Sequence, residues 1–208
     1  IVSAFGLPAE TREKRTLKLS AQIWPGRNAA AHAAVMLLHI SAYATVFTFI
    51  MPLFESTRES GAFLLLAVIG IAGAVGSLLA GPAIDRFGLK PAKYLMLASQ
   101  IVLLPLFSIH GLSVWAFTLL SAVWIGLSTP FMIAQQVSLV TVAPKARDAG
   151  LALNATANYL GLMTGSMIGA LIVRMNGFDS LGLAGGTIAV LALLWSVVAS
   201  NTQSSSRT

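Results

Sequence analysis

The sequence contains no cysteine, few charges and no acidic residue in the interior of its long apolar runs. Without cysteine there is no disulfide, no thiolate nucleophile and no cysteine-based metal site. Only 10% of the 208 residues are charged, and the mean hydropathy is +0.82. A soluble domain of this length needs more charge than that to cover its surface. The seven acids, Glu10, Glu13, Glu55, Glu59, Asp85, Asp148 and Asp179, fall in expected loops or at helix ends. No carboxylate is therefore placed mid-span as a proton carrier. The chain also lacks an HExxH pair, a phosphate-binding glycine loop and the Gly-x-Ser-Gly turn of an intramembrane serine protease, the nearest stretch being Gly165-Ser166-Met167-Ile168. The reading is no enzyme, no metal and no cofactor.

What the chain does have is apolar length. Six runs, at about 31–54, 60–81, 92–110, 112–135, 148–173 and 180–200, read as helices. Each is long enough to cross ~30 Å of hydrocarbon at 1.5 Å per residue. Alternating ten-residue strands of a membrane β-barrel are not seen. The expected division is 1–8 as the tail of a preceding transmembrane helix, 9–30 as a cytoplasmic connector, 31–200 as a six-helix bundle and 201–208 as a disordered cytoplasmic tail. Within the connector, Leu17, Leu19, Ile23 and Trp24 suggest a short interfacial helix. Ile1 opens inside an apolar segment, without the Met and charged start of a signal peptide. The expectation is a chain cut from something longer, or one whose beginning is missing.

Charge sets the orientation. Arg12, Lys14, Arg15, Lys18, Arg27, Arg86, Lys90, Lys93, Lys145, Arg147 and Arg207 fall on one side of the spans, and only Arg58 and Arg174 on the other. The positive-inside rule puts the first group and both termini in the cytoplasm. This asymmetry accounts for the pI of about 10.2 without invoking nucleic acid.

The connector between the second and third spans reads Gly81-xxx-Asp85-Arg86-x-Gly88-x-Lys90. Gly81 permits close helix approach and Gly88 a positive φ in a tight reversal. Asp85 can face a helix N-terminus, and Arg86 can pair with carboxylates or helix C-terminal carbonyls. The bland alternative is an ordinary positive-inside loop. These residues resemble the signature loop of the major facilitator superfamily, Gly-xxx-Asp-Arg-x-Gly-Arg-Arg/Lys, with Leu89 replacing a basic residue. The stretch "APKARDAGLALNATANYLGLMTGSMIGALI" further resembles the eleventh helix of the arabinose-efflux-like drug and sugar branch. The resemblance implies an all-α membrane protein, with six transmembrane helices forming the C-terminal half of a facilitator fold as two inverted three-helix repeats. Gly169-xxx-Val173-Arg174 faintly echoes Gly81-xxx-Asp85-Arg86 at the matching position of the second repeat.

The resemblance implies proton-coupled efflux of a small molecule by alternating access, in the lipid bilayer of a bacterial inner membrane, against an N-terminal six-helix half. The competing reading is a six-helix channel or scaffold subunit that pairs with another chain. In the fifth span Gly150, Asn154, Asn158, Gly161, Gly165 and Gly169 share an arc of about 100°. Gly161, Gly165 and Gly169 read as a packing stripe, as do Gly73, Ser77 and Gly81 in the second span. Asn154 and Asn158 either bond a neighbouring helix or line a polar cavity. His39 and Tyr43, one turn apart with His32 below them, are pathway candidates, and the alternative for His39 is a neutral ring bonded inside the bundle. Gln135 and Gln136 mark the inner mouth or the interface, His110 an outer helix end, and Pro105 and Pro130 expected bends.

Overall fold

The computed structural model describes residues 26–55 and 61–205. The expected helix tail at 1–8, the interfacial helix around Leu17–Trp24 and the last residues of the tail lie outside them. The first span is α1 (Gly26–Phe47) followed by the short α2 (Ile50–Glu55). It is followed by α3 (Ala62–Phe87), α4 (Leu89–Leu106), α5 (Val114–Val142), α6 (Arg147–Asn176) and α7 (Leu181–Ser205). The last two are each preceded by one turn of 3-10 helix, Pro144–Ala146 and Phe178–Ser180. Five of the six spans are long and apolar enough to cross a membrane by length and composition. The sixth, α4, is shorter at 18 residues and begins with Lys90 and Lys93 in its first turns.

The helices outrun the apolar runs. The connector expected at 82–93 is almost wholly helical: Gly81, Asp85 and Arg86 close α3, and Lys90 and Lys93 open α4. Only Gly88 breaks the helix, with φ +82 and its N–H on the Ile84 carbonyl at 2.8 Å. Similarly, α5 passes 135 to reach Val142, α1 begins at Gly26 and α7 continues to Ser205. Polarity marks where the hydrocarbon ends, whereas backbone hydrogen bonding carries a helix on into the headgroup layer. At 1.5 Å per residue α5 is about 43 Å long, well over the ~30 Å hydrocarbon core. The break at Thr48–Phe49 has its cause in Pro52, which cannot donate to the Thr48 carbonyl and crowds it with its ring.

The helices pair crosswise. α1 packs along α6, and α3 along α5; α1 also meets α7, and α4 lies between α7 and α5. Divided after α4, the first helix of each three-helix repeat therefore rests on the second helix of the other. This is the pairing of two inverted repeats. Small residues make both seams. A Cβ at Gly161 would fall 2.7 Å from the Leu37 carbonyl, and one at Gly169 2.7 Å from the Thr45 carbonyl. At Gly165 it would run into the Ser41 carbonyl. Hydroxyls bind the same seam, Ser41 Oγ to Thr164 Oγ1 at 2.8 Å and Thr45 Oγ1 donating to the Gly165 carbonyl at 3.2 Å.

In the α3–α5 seam the register differs from the expected Gly73, Ser77 and Gly81 stripe. The tight residue is Gly76, whose Cβ would collide with the Gly126 carbonyl. Gly73 is in ordinary contact range of Ile125, Ser77 bonds back to the Gly73 carbonyl, and Gly81 has no neighbour within 4 Å. The buried face of α3 consists of Leu65, Ile69, Gly76 and Ala80. The remainder of α3 is apolar and exposed, with Phe63 and Leu78 at 86% and 77%. A surface of that kind is at home in lipid or against another helical bundle. Aromatic rings fill the bundle away from the basic end, where Phe107 meets both Phe117 and Trp124 at 5.3 Å.

Candidate functional site

Charge segregates along the bundle. Of the basic residues in the described segments, Arg27, Arg86, Lys90, Lys93, Lys145 and Arg147 belong to one end and Arg174 to the other. The sparsely charged end is where the exposed His110 Nε2 meets Asp179 Oδ1 at 2.9 Å, joining the α4–α5 and α6–α7 connections.

Between these ends, α1, α5 and α6 bring polar side chains into an apolar interior. His39 is fully buried on α1, and its ring lies 3.9 Å from that of Phe131 on α5, centroid to centroid. Neither ring nitrogen has a hydrogen-bond partner among the described residues. Gln135, also fully buried, donates through Nε2 to the His32 carbonyl and leaves Oε1 unpartnered. Asn154 is 3% exposed and its Oδ1 is likewise without a partner. Tyr43 is half-buried and stacks between Phe47 at 4.8 Å and Trp124 at 5.0 Å. On α6 the buried stripe passes through Ala157, so Asn158 sits half-buried on its shoulder. Gln136 is exposed.

More than nine in ten buried polar groups find partners in folded proteins, and an orphan costs about 1–3 kcal/mol. Such orphans fall on three of the five sequence-named pathway residues and also on Gln100, Thr118 and Trp124, and each calls for a partner beyond the described residues, such as water, a ligand or further protein.

The corner between α3 and α4 carries exposed charge. Asp85 and Arg86 are exposed, neither takes part in an ion pair among the described residues, and the Arg86 guanidinium lies 5.6 Å from the Phe87 ring. At the same end, a cavity of about 470 Å³ opens between α1, α4, α5 and α7, with His32, Lys90, Lys93, Ser138 and Ser200 in its wall. Sequence reasoning counted Lys93 only as loop charge and passed over it as a site residue. Its spacing held the signal: Lys93, Met96, Leu97, Gln100 and Leu104 recur at helical intervals and are all buried.

A six-span membrane bundle of two crosswise-paired inverted repeats, ending its second span in Gly-xxx-Asp-Arg-x-Gly, defines half of a facilitator-type fold. In agreement, residues 32–208 match the model of the Major Facilitator Superfamily, and the chain belongs to that family. Among curated relatives, a probable sugar efflux transporter of Helicobacter acinonychis is 30% identical over 168 residues, covering 77% of this chain and 42% of that protein. A protein of the same name from Helicobacter pylori strain J99 is 28% identical over 193 residues, covering 82% and 48%. Another from Mannheimia succiniciproducens is 25% identical over 167 residues, covering 78% and 41%. The chain thus spans less than half the length of these relatives.

Proposed function

We propose that the chain is the C-terminal half of a secondary active transporter that exports a sugar-like small molecule by alternating access, coupled to protons. The carrying observation is the set of orphaned polar atoms on His39, Gln135 and Asn154, in a family member whose relatives are named sugar efflux transporters. Sugar hydroxyls both donate and accept, and so complement amide oxygens and imidazole nitrogens. In this reading the half-buried Tyr43 and Asn158 line the pathway directly, and an N-terminal six-helix half supplies its other wall. His39, Gln135 and Asn154, buried within this bundle in the present state, are reached from it when the helices shift. The two halves rock about the site in the bilayer. The basic end, with both termini, faces the cytoplasm of a bacterial inner membrane. Asp85 and Arg86 latch that side across the half interface, while Gly81, Gly88 and Lys90 shape the turn. The described spans hold no mid-membrane carboxylate, so the proton-coupling acid is assigned to the N-terminal half.

The test is transport by the full-length protein in proteoliposomes under an imposed pH gradient. Saturable sugar movement with counterflow, abolished by a protonophore, is expected. Flux that rises linearly with concentration, without counterflow, identifies a channel instead. Absence of any sugar flux overturns the substrate class.

A further inference from the structure

The cavity at the basic end has a chemistry that the transport reading does not use. Lys93 is only 5% exposed, yet its ammonium has no carboxylate within ion-pair distance among the described residues. Its Nζ donates to Ser138 Oγ at 3.1 Å and lies 5.9 Å from the centre of the Phe131 ring. An ammonium has three donors, and a neutral hydroxyl and a ring face offset its charge poorly. Burying a cation without a counter-charge is strongly unfavourable, so a position of this kind calls for an anion.

The rest of the wall suits one. Lys90 contributes a second cation and Ser196 a hydroxyl, and no acidic side chain among the described residues lines the space. Ser200 Oγ donates to the Val197 carbonyl at 2.8 Å and lies 2.9 Å from the Tyr94 hydroxyl, so these two groups form a fixed part of the wall. The first turn of α4, whose amides carry partial positive charge, borders the cavity through Leu89 and Lys90. At about 470 Å³ the space greatly exceeds a bare phosphate ion, which favours a phosphate carrying an esterified group.

We propose that this cavity, formed by α1, α4, α5 and α7, binds a phosphate ester through Lys93, with Lys90 and Ser196 completing the site. Basic pockets between transmembrane helices take lipid headgroups in this way, and a soluble phosphate ester offers the same group. The site adjoins His39 and Gln135, sharing Phe131 and His32 with them, but its test does not depend on what the transporter carries.

The experiment uses the full-length protein, delipidated in phosphate-free detergent, and follows its melting temperature. Glycerol 3-phosphate and phosphatidylglycerol are titrated separately. A saturable rise with at least one is expected; a rise with phosphatidylglycerol alone assigns a lipid headgroup, and one with glycerol 3-phosphate alone a soluble ester. Lys93→Met should weaken the response by roughly tenfold or more, as expected for losing a charge-assisted hydrogen bond. Without any phosphate ester, the same variant should melt above wild type, because an uncompensated buried charge is gone. Lys90→Gln, at an exposed position, should raise the half-saturating concentration a few-fold, and it decides the matter should Lys93→Met fail to assemble. The proposal is overturned when neither probe raises the melting temperature, or when the Lys93→Met or, failing that, the Lys90→Gln titration matches wild type.

Discussion

His39 concentrates the question at the scale of single residues. Its ring is held by Phe131 at 3.9 Å, and both nitrogens are unpartnered, so shape and polarity can be tested separately. His39→Phe keeps an aromatic ring for the stack and removes the orphaned atoms. The variant should assemble with a melting temperature equal to or above wild type, while apparent sugar affinity falls by about fivefold or more, as for one lost hydrogen bond of about 1 kcal/mol or more. Unchanged transport kinetics would make His39 a packing ring. Asn154→Ala should likewise weaken affinity. By contrast, His110→Ala removes only an exposed pair and should move stability by less than about 1 kcal/mol. The residue types at these positions were legible, because an imidazole or amide in an apolar run attracts notice at once. Their partners were not: His39 could be expected to bond within the bundle, and only coordinates place Phe131 against it. Lys93 escaped for the opposite reason, since a lysine beside a basic turn looks like loop charge unless its helical phase is checked.

At the scale of elements, the count of six spans and the glycine seam of α6 followed from composition and period alone. The helix ends did not, because apolar length measures the hydrocarbon layer and not the hydrogen-bonded helix. Nor did the register of the α3 seam: small residues three apart, as Gly73 and Gly76, and four apart, as Gly73, Ser77 and Gly81, both satisfy a close-packing pattern, and the choice of Gly76 over Gly81 depends on where α5 crosses. The crossings make opposite predictions for chemically similar changes. Gly165→Leu forces a side chain into the Ser41 carbonyl and Ala44, and Gly76→Val forces one into Gly126. Each should destabilise the bundle by about 1–3 kcal/mol or prevent its assembly, as overpacked cores do. Gly70→Ala meets nothing within 4 Å and should be neutral or slightly stabilising. Thermal melting of the three purified variants checks the set, and equal behaviour of Gly165→Leu and Gly70→Ala would refute the seam.

At the scale of the whole molecule, the two repeats are alike in pairing and unlike in finish. Gly169 sits hard against Thr45 and Phe49, whereas Gly81, its counterpart in the echo of Gly-xxx-Asp-Arg, has no neighbour within 4 Å. The second helix of the first repeat thus ends in an open, charged corner, whereas its counterpart in the second repeat packs closely on α1 at Gly169, and one faint sequence echo could not reveal that difference. In the proposed alternating-access cycle, the exposed Asp85 and Arg86 engage another half in one conformation and release it in the other. A contact made in one state only biases the equilibrium by its own free energy. For a charge-assisted hydrogen bond that is about 1.5–3 kcal/mol, or roughly ten- to a hundredfold in population. Asp85→Asn keeps the shape and removes the charge, so expression should persist while turnover falls by about tenfold. The absence of cysteine from these 208 residues makes the shift directly readable. A single Asn158→Cys in an otherwise cysteine-free full-length protein should react faster with a thiol reagent from the cytoplasmic side, and more slowly from outside, once Asp85→Asn is added. Labelling rates that stay the same from both sides, with turnover intact, would leave the corner without a gating role.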